Sequence, residues 1–320
     1  MQIARKMIDW CRGALPWLVV AGLASCGGGT SQIDPFEPRQ VIFIGDETVG
    51  LVADGKRYGI NGLDTGGVFN CSLLPIWSQQ LATNFGFTID FCSPTGAVAT
   101  TRAAANAKAA DLDAQISAQM AATGVGEKDL YVVMVGLNDI IELYENFQGD
   151  RGCDTGNRTP PGGSLMAELD ARGSHAAAQV SRILAAGGRA MVSTVHDLGY
   201  TPYALSRNGV SPGQATLLSC MTARFNARLR VDIQPLDGRV WGLVLADDDT
   251  LFIVRNPTNF GITNVNDGAC AVALPDCTTN TLVAGATSGN YLWADDRHFG
   301  PVFHNQLAAQ SITRARNNPF

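Results

Sequence analysis

The run Val41-Ile-Phe-Ile44, closed by Gly45-Asp46, is the feature that most narrows what this chain can fold into. A strand that is apolar at every position has to be covered on both faces, which is the situation of a strand inside a parallel sheet. Ligands of such sheets bind beyond the carboxyl ends of the strands, so Asp46, Glu47 and Thr48 stand where chemistry is expected.

Later segments repeat the pattern. Asp129-Leu-Tyr-Val-Val-Met-Val-Gly136, Arg189-Ala-Met-Val-Ser-Thr-Val195 and Arg239-Val-Trp-Gly-Leu-Val-Leu245 are predicted strands, and Phe87 to Phe91 alternates like one. Between them lie predicted helices: one from near Pro75 to Phe85, one over Ala103–Ala122 on alanine content and spacing, and others over Leu165–Ala186, Gln214–Ile233 and Pro301–Ala315. Strands alternating with helices imply an α/β fold, a three-layer α/β/α sandwich around a five-stranded parallel sheet of flavodoxin-like type. Residues 148–163 and 258–290 are expected to be irregular surface loops. With 320 residues and 46% hydrophobic content, residues 39–320 can form one domain with a full core. A net charge of −6 leaves no basic surface for nucleic acid.

The first 25 residues have the make-up of an export signal: Arg5, Lys6 and Arg12, then the short apolar stretch Gly13–Ala24. That stretch is short for a membrane span. Leu23-Ala-Ser-Cys26 resembles a bacterial lipobox, in which the cysteine is acylated and becomes the first mature residue. The resemblance implies a lipid anchor on Cys26, a tether over residues 26–38, and location in the bacterial envelope. Glycine after Cys26 points, by analogy, to the outer membrane. The remaining cysteines from Cys71 onward, paired in order, give Cys71–Cys92, Cys153–Cys220 and Cys270–Cys277 as expected disulfides. Their spacing suggests no zinc site, and no cofactor is expected.

Four further stretches share one order. Gly45-Asp46-Glu47 ends the first strand, and Gly96 follows the second. Gly136-Leu-Asn138-Asp139 ends the third, and Asp295-Asp-Arg-His298 comes before the last helix. Leu198-Gly-Tyr-Thr-Pro202, Phe225-Asn226 and Asn256-Pro257 are weaker matches. This set is similar to the SGNH/GDSL hydrolases. The resemblance implies ester hydrolysis, with Gly96 and Asn138 as oxyanion donors, His298 as base and Asp295 orienting it. Asp296 is the alternative orienter. The implied ligand is an ester-bearing lipid or glycan.

In that family a serine follows Gly-Asp, whereas this chain has Glu47. A carboxylate beside His298 would favour the imidazolium and set negative charge where an oxyanion must develop. The expectation is altered or lost hydrolysis. The alternatives are Glu47 acting as base or nucleophile, or recruitment of Thr48 or Ser93. A non-catalytic protein that uses the same cleft to bind glycan or lipid is the competing expectation. A third is a surface interaction protein whose disulfide-pinned loops carry the contact. His175, His196 and His304, with Trp77, Trp241 and Trp293, are expected to pack or to line the rim.

Overall fold

The computed structural model describes residues 36–92, 95–149, 151–152 and 164–317. The strands are β1 (Gln40–Gly45), β2 (Phe87–Ile89), β3 (Ala97–Thr101), β4 (Asp129–Met134), β5 (Arg189–Ser193) and β6 (Trp241–Val244). They form one sheet in the order β2-β3-β1-β4-β5-β6, and every neighbouring pair is parallel. A short parallel pair, β7 (Asn264–Gly268) and β8 (Tyr291–Trp293), lies apart from it.

Alternation along the strands builds a core on each face. Ile42, Ile44, Tyr131, Val133, Ala190 and Val192 point into one, which is covered by α2 (Leu112–Thr123), α3 (Leu137–Asn146), α4 (Leu165–Ala185) and α6 (Gln214–Ile233). Val41, Phe43, Leu130, Val132, Met134 and Met191 point into the other, under α1 (Trp77–Asn84), α7 (Ala246–Arg255) and α8 (Pro301–Asn317). The helix α5 (Pro202–Val210) has Thr201 at its N-cap and Pro202 in its first turn. The fold is thus the expected α/β sandwich with a parallel sheet.

Two expectations need correction. The sheet has six strands rather than five, because Ala97–Thr101 pairs with β1 and leaves Phe87–Ile89 as an edge strand. The helix expected over Ala103–Ala122 begins only at Leu112, after a 3-10 turn at Ala109–Asp111. Side chains capture the backbone ahead of it: Asn106 N–H donates to Glu47 and Ala109 N–H to Asp139, so alanine's helix propensity is overridden. Residues 258–290 are mostly irregular, as expected, apart from a 3-10 turn at their start and β7.

Two expected disulfides are present, Cys71–Cys92 and Cys270–Cys277, with Cα–Cα distances of 5.7 and 5.8 Å. Cys153, the expected partner of Cys220, lies outside the described residues, as do Cys26 and Ser93. Among the described residues no helix is long and apolar enough to cross a membrane.

Candidate functional site

The carboxyl ends of β1 and β4 turn through glycines that no other residue could replace cheaply. Gly45 has φ +135°, and a Cβ there would lie 1.8 Å from the Met134 carbonyl oxygen. Gly136 has φ +127°, and a Cβ would meet the Phe225 ring at 2.6 Å. These close approaches swing Glu47 and Asn138 toward each other across the sheet edge. Gln115 on α2 holds the first turn by bridging the Gly45 N–H and C=O at 2.7 and 2.9 Å. Beyond it, Trp77 Nε1 donates to the Thr48 carbonyl at 3.0 Å and Ser78 Oγ to that of Val49 at 2.7 Å.

Glu47 is buried at 6% exposure, and its carboxylate is surrounded by donors. Oε2 accepts from the Asn106 peptide N–H at 2.8 Å and from Asn138 Nδ2 at 3.1 Å. Oε1 lies 3.2 Å from Asn138 Nδ2 and 3.3 Å from His298 Nε2. On the other side of the ring, His298 Nδ1 is 2.8 Å from Asp295 Oδ2. Asp295 Oδ1 accepts from the backbone N–H groups of His298 at 2.7 Å and Arg297 at 2.9 Å, which fixes the turn carrying the histidine. Asp296 instead pairs with Arg297 at 2.8 Å, so Asp295 is the residue that orients the ring.

Charge follows from this packing. Burial opposes ionisation of His298, yet hydrogen bonds to Asp295 and Glu47, with their charges, raise it to about 9. Burial likewise pushes Glu47 up, but the bond to His298 and its positive charge bring the carboxyl below its ordinary value. Asp295 is lowered in the same way, against its own burial. Asp46 is driven up to about 8, first by burial and then by the Glu47 charge. Near neutral pH the centre is an imidazolium held between two carboxylates, with both ring nitrogens donating. A ring in that state accepts no proton.

Of the sequence-predicted residues, Glu47, Asn138, Asp295 and His298 come together, whereas Gly96 does not. Gly96 precedes β3, and the register of β3 on β1 (Thr101 opposite Phe43) puts it at the amino edge of the sheet, away from Glu47. The peptide N–H expected from a glycine there comes from Asn106, which has φ +61°. A single asparagine in an alanine-rich stretch after a strand was the available signal, because asparagine tolerates the left-handed region.

Thr48 Oγ1 donates to Asp46 Oδ1 and is buried, which leaves it bound within its own turn. Tyr58, which sequence reasoning passed over, lies with its ring 5.5 Å from that of His298. His196 is buried against Trp293, Phe299 and Phe303, and its Nε2–H reaches the Arg297 carbonyl at 2.9 Å. Burial lowers it to about 3, so it supports the His298 turn as a neutral ring. His304 is buried and lowered to about 3, with Nδ1 3.4 Å from the Trp77 N–H, whereas His175 is exposed on α4. Among the described residues no group of His, Cys, Asp and Glu is arranged to hold a metal ion.

No family model matches the chain, and no curated protein matches it either. Solved structures do. A member of the lipolytic protein G-D-S-L family from Veillonella parvula DSM 2008 is 9% identical with a TM-score of 0.41, covering 85% of this chain and 96% of that one. The acetyl xylan esterase AlAXEase is 14% identical with a TM-score of 0.44, over 85% of this chain and 96% of the other. A catalytic mutant of Axe2, an acetylxylan esterase from Geobacillus stearothermophilus, is 12% identical with a TM-score of 0.42, over 86% and 92% respectively. In overall arrangement, the chain is similar to GDSL-family lipolytic enzymes and acetylxylan esterases at low sequence identity.

Proposed function

We propose that this chain is an ester-hydrolase scaffold of SGNH/GDSL type in which Glu47 stands in the nucleophile's place and holds the site in a non-hydrolytic state. One observation carries the reading: a single carboxylate takes the Asn106 N–H, the Asn138 amide and the His298 ring together. Acyl transfer needs those donors free for a developing oxyanion, and losing one costs roughly 100- to 1000-fold in rate. It also needs a neutral imidazole to accept the nucleophile's proton. Glu47 removes both conditions. On the lipobox resemblance, the mature chain is anchored to the bacterial envelope through a lipid on Cys26, at the outer membrane.

The second reading is a non-catalytic lipoprotein that uses the same cleft to bind an ester-bearing glycan or lipid. Tyr58 beside His298 favours it, because an aromatic face next to a cation suits a sugar ring.

Hydrolysis of short and long p-nitrophenyl esters by soluble chains lacking residues 1–26 tests the proposal. The natural chain and His298→Ala are expected to be inactive, and Glu47→Ser to gain turnover that His298→Ala abolishes. Turnover by the natural chain that disappears in His298→Ala would overturn the non-hydrolytic reading. If none of the chains turns over while ligand binding depends on Tyr58 and Asn138, the binding reading is favoured.

A further inference from the structure

Tyr58 meets His298 without a polar tie of its own. Its ring is half-buried with its centroid 5.5 Å from that of the imidazole, and among the described residues its hydroxyl makes no hydrogen bond. The backbone on either side therefore sets where the ring lies. On one side, the buried guanidinium of Arg57 donates to the carbonyls of Cys71 at 2.7 Å, Leu73 at 2.8 Å and Leu74. That residue cannot shift without leaving a buried charge unpaired. On the other side, buried Asn61 accepts from the Arg57 N–H at 3.1 Å, which closes residues 57–61 into a short loop carrying Tyr58.

The Cys270–Cys277 disulfide joins this loop to the turn that carries His298. At one end, Asn61 Nδ2 donates to the Pro275 and Cys277 carbonyls at 2.7 and 2.9 Å, and the Asn61 N–H donates to the Cys277 carbonyl at 2.9 Å. At the other end, the Cys270 N–H donates to the Ala294 carbonyl at 2.8 Å, and the Ala294 N–H donates to the His298 carbonyl at 2.8 Å. Ile60, Cys277 and Ala294 share one small buried cluster. Cys277 thus grips the Tyr58 side and Cys270 the His298 side. Residues 271–276 between them are half-buried or exposed, so the sulfur bridge, more than packing of that segment, keeps its two ends together.

We propose that the Cys270–Cys277 disulfide positions Tyr58 against His298, and that opening this bond releases the aromatic wall from the Glu47 site. The functional consequence rests on the reading of that site as a ligand cleft. Reduction by a dithiol breaks the Cys270–Cys277 S–S bond, places one electron and one proton on each sulfur, and closes the dithiol into its own disulfide. The Asn61 loop and the Ala294 strand end then keep their hydrogen bonds but lose the covalent link between them. With the wall in place, a ligand at Glu47 and Asn138 lies beside a fixed aromatic face, which selects for a flat ring; with the wall released, that selection is lost. Tyr58 is thus a specificity-determining residue, and Asn61 and the disulfide are its positioning elements.

The ring contact is itself the readout. In the natural chain a nuclear Overhauser effect is expected between the ring protons of Tyr58 and those of His298, assigned by its disappearance in Tyr58→Leu. The double variant Cys270→Ser, Cys277→Ser should lose this effect while His298 still titrates near 9, because Asp295 and Glu47 are untouched. Asn61→Ala, which cuts the side-chain tie to Cys277 and leaves the disulfide closed, should weaken the effect in the same way. Treating the natural chain with dithiothreitol should remove it, and reoxidation should restore it. An effect that survives in the double variant and under dithiothreitol overturns the proposal. Loss of the effect together with the high His298 titration also overturns it, since the bond would then hold the whole centre rather than the ring. Turnover of p-nitrophenyl esters by the natural chain would sink the non-hydrolytic reading and leave the ring contact as it is, so the two failures are told apart.

Discussion

The peptide N–H of Asn106 donates to Glu47 Oε2 from 2.8 Å, in a backbone conformation with φ +61°. A side chain chosen at one end of the chain is thereby tied to a strained backbone position in another segment, and each end can be altered separately.

Replacing Glu47 with glutamine keeps the shape and removes the charge. His298 keeps Asp295 but loses its second carboxylate, so its titration should move from about 9 back toward the ordinary 6.5. The His298 ring-proton chemical shift followed against pH checks this. A titration left near 9 would show that Asp295 alone holds the imidazolium.

Stability should fall on the alkaline side. The His298 pKa is raised on folding from 6.5 to about 9, so its contribution is complete below about pH 6.5 and is lost as pH climbs through about 9. The full contribution is of the order of 3 kcal/mol. Asp46 acts in the same alkaline direction: it is raised from 3.8 to about 8, so holding it protonated costs progressively more between those values. Urea midpoints from pH 6 to 10 should decline in the natural chain and decline less in His298→Gln. Equal slopes would remove His298 from the account.

At Asn106 the backbone, rather than the side chain, does the binding. Asn106→Gly should be neutral or slightly stabilising, because glycine adopts positive φ without cost, whereas Asn106→Val should cost about 1–2 kcal/mol. Thermal melts of the pair decide it, and a glycine variant that melts well below the natural chain would implicate the amide side chain.

Gln115→Leu should be among the more damaging changes outside the site itself. It leaves the buried Gly45 N–H and C=O without their side-chain partner, at about 1–3 kcal/mol each. Chemical denaturation should show a loss of roughly 2–5 kcal/mol. A loss under about 1 kcal/mol would mean that the turn finds other partners.

The parts of the fold visible in the sequence are those where one physical demand dominates. Val41–Ile44 and Leu130–Val133 are apolar throughout because helices cover both sheet faces, and α6 shows its period and stops before Pro235. Ala97–Thr101 escaped notice because it carries little apolar bulk, with Ala97 and Val98 exposed. The helix α3 follows the end of β4 closely and α5 begins at the end of the Leu198–Pro202 match, so their first turns are hidden in motifs already assigned to the site. The Asp295–His298 spacing fixed its own geometry, since three residues suffice to bring the carboxylate to both the ring and the backbone. The donor opposite it could not be located that way. Gly96 matched a pattern of residue types, whereas the position required only a residue that tolerates positive φ, and strand pairing decided which segment supplied it.

The partners of Glu47 come from far along the chain: Asn106 is 59 residues away, Asn138 91, and His298 251. Contacts of that range carry a loop-closure entropy that local contacts do not. A chain with β1 in place but β8 and α8 not yet docked would hold Glu47 against the sheet edge as a bare carboxylate, costly to enclose. Arrival of His298 neutralises it. The ionised centre therefore exists only where the first strand and the last segment meet, because Glu47 and His298 come to it from opposite ends of the described chain.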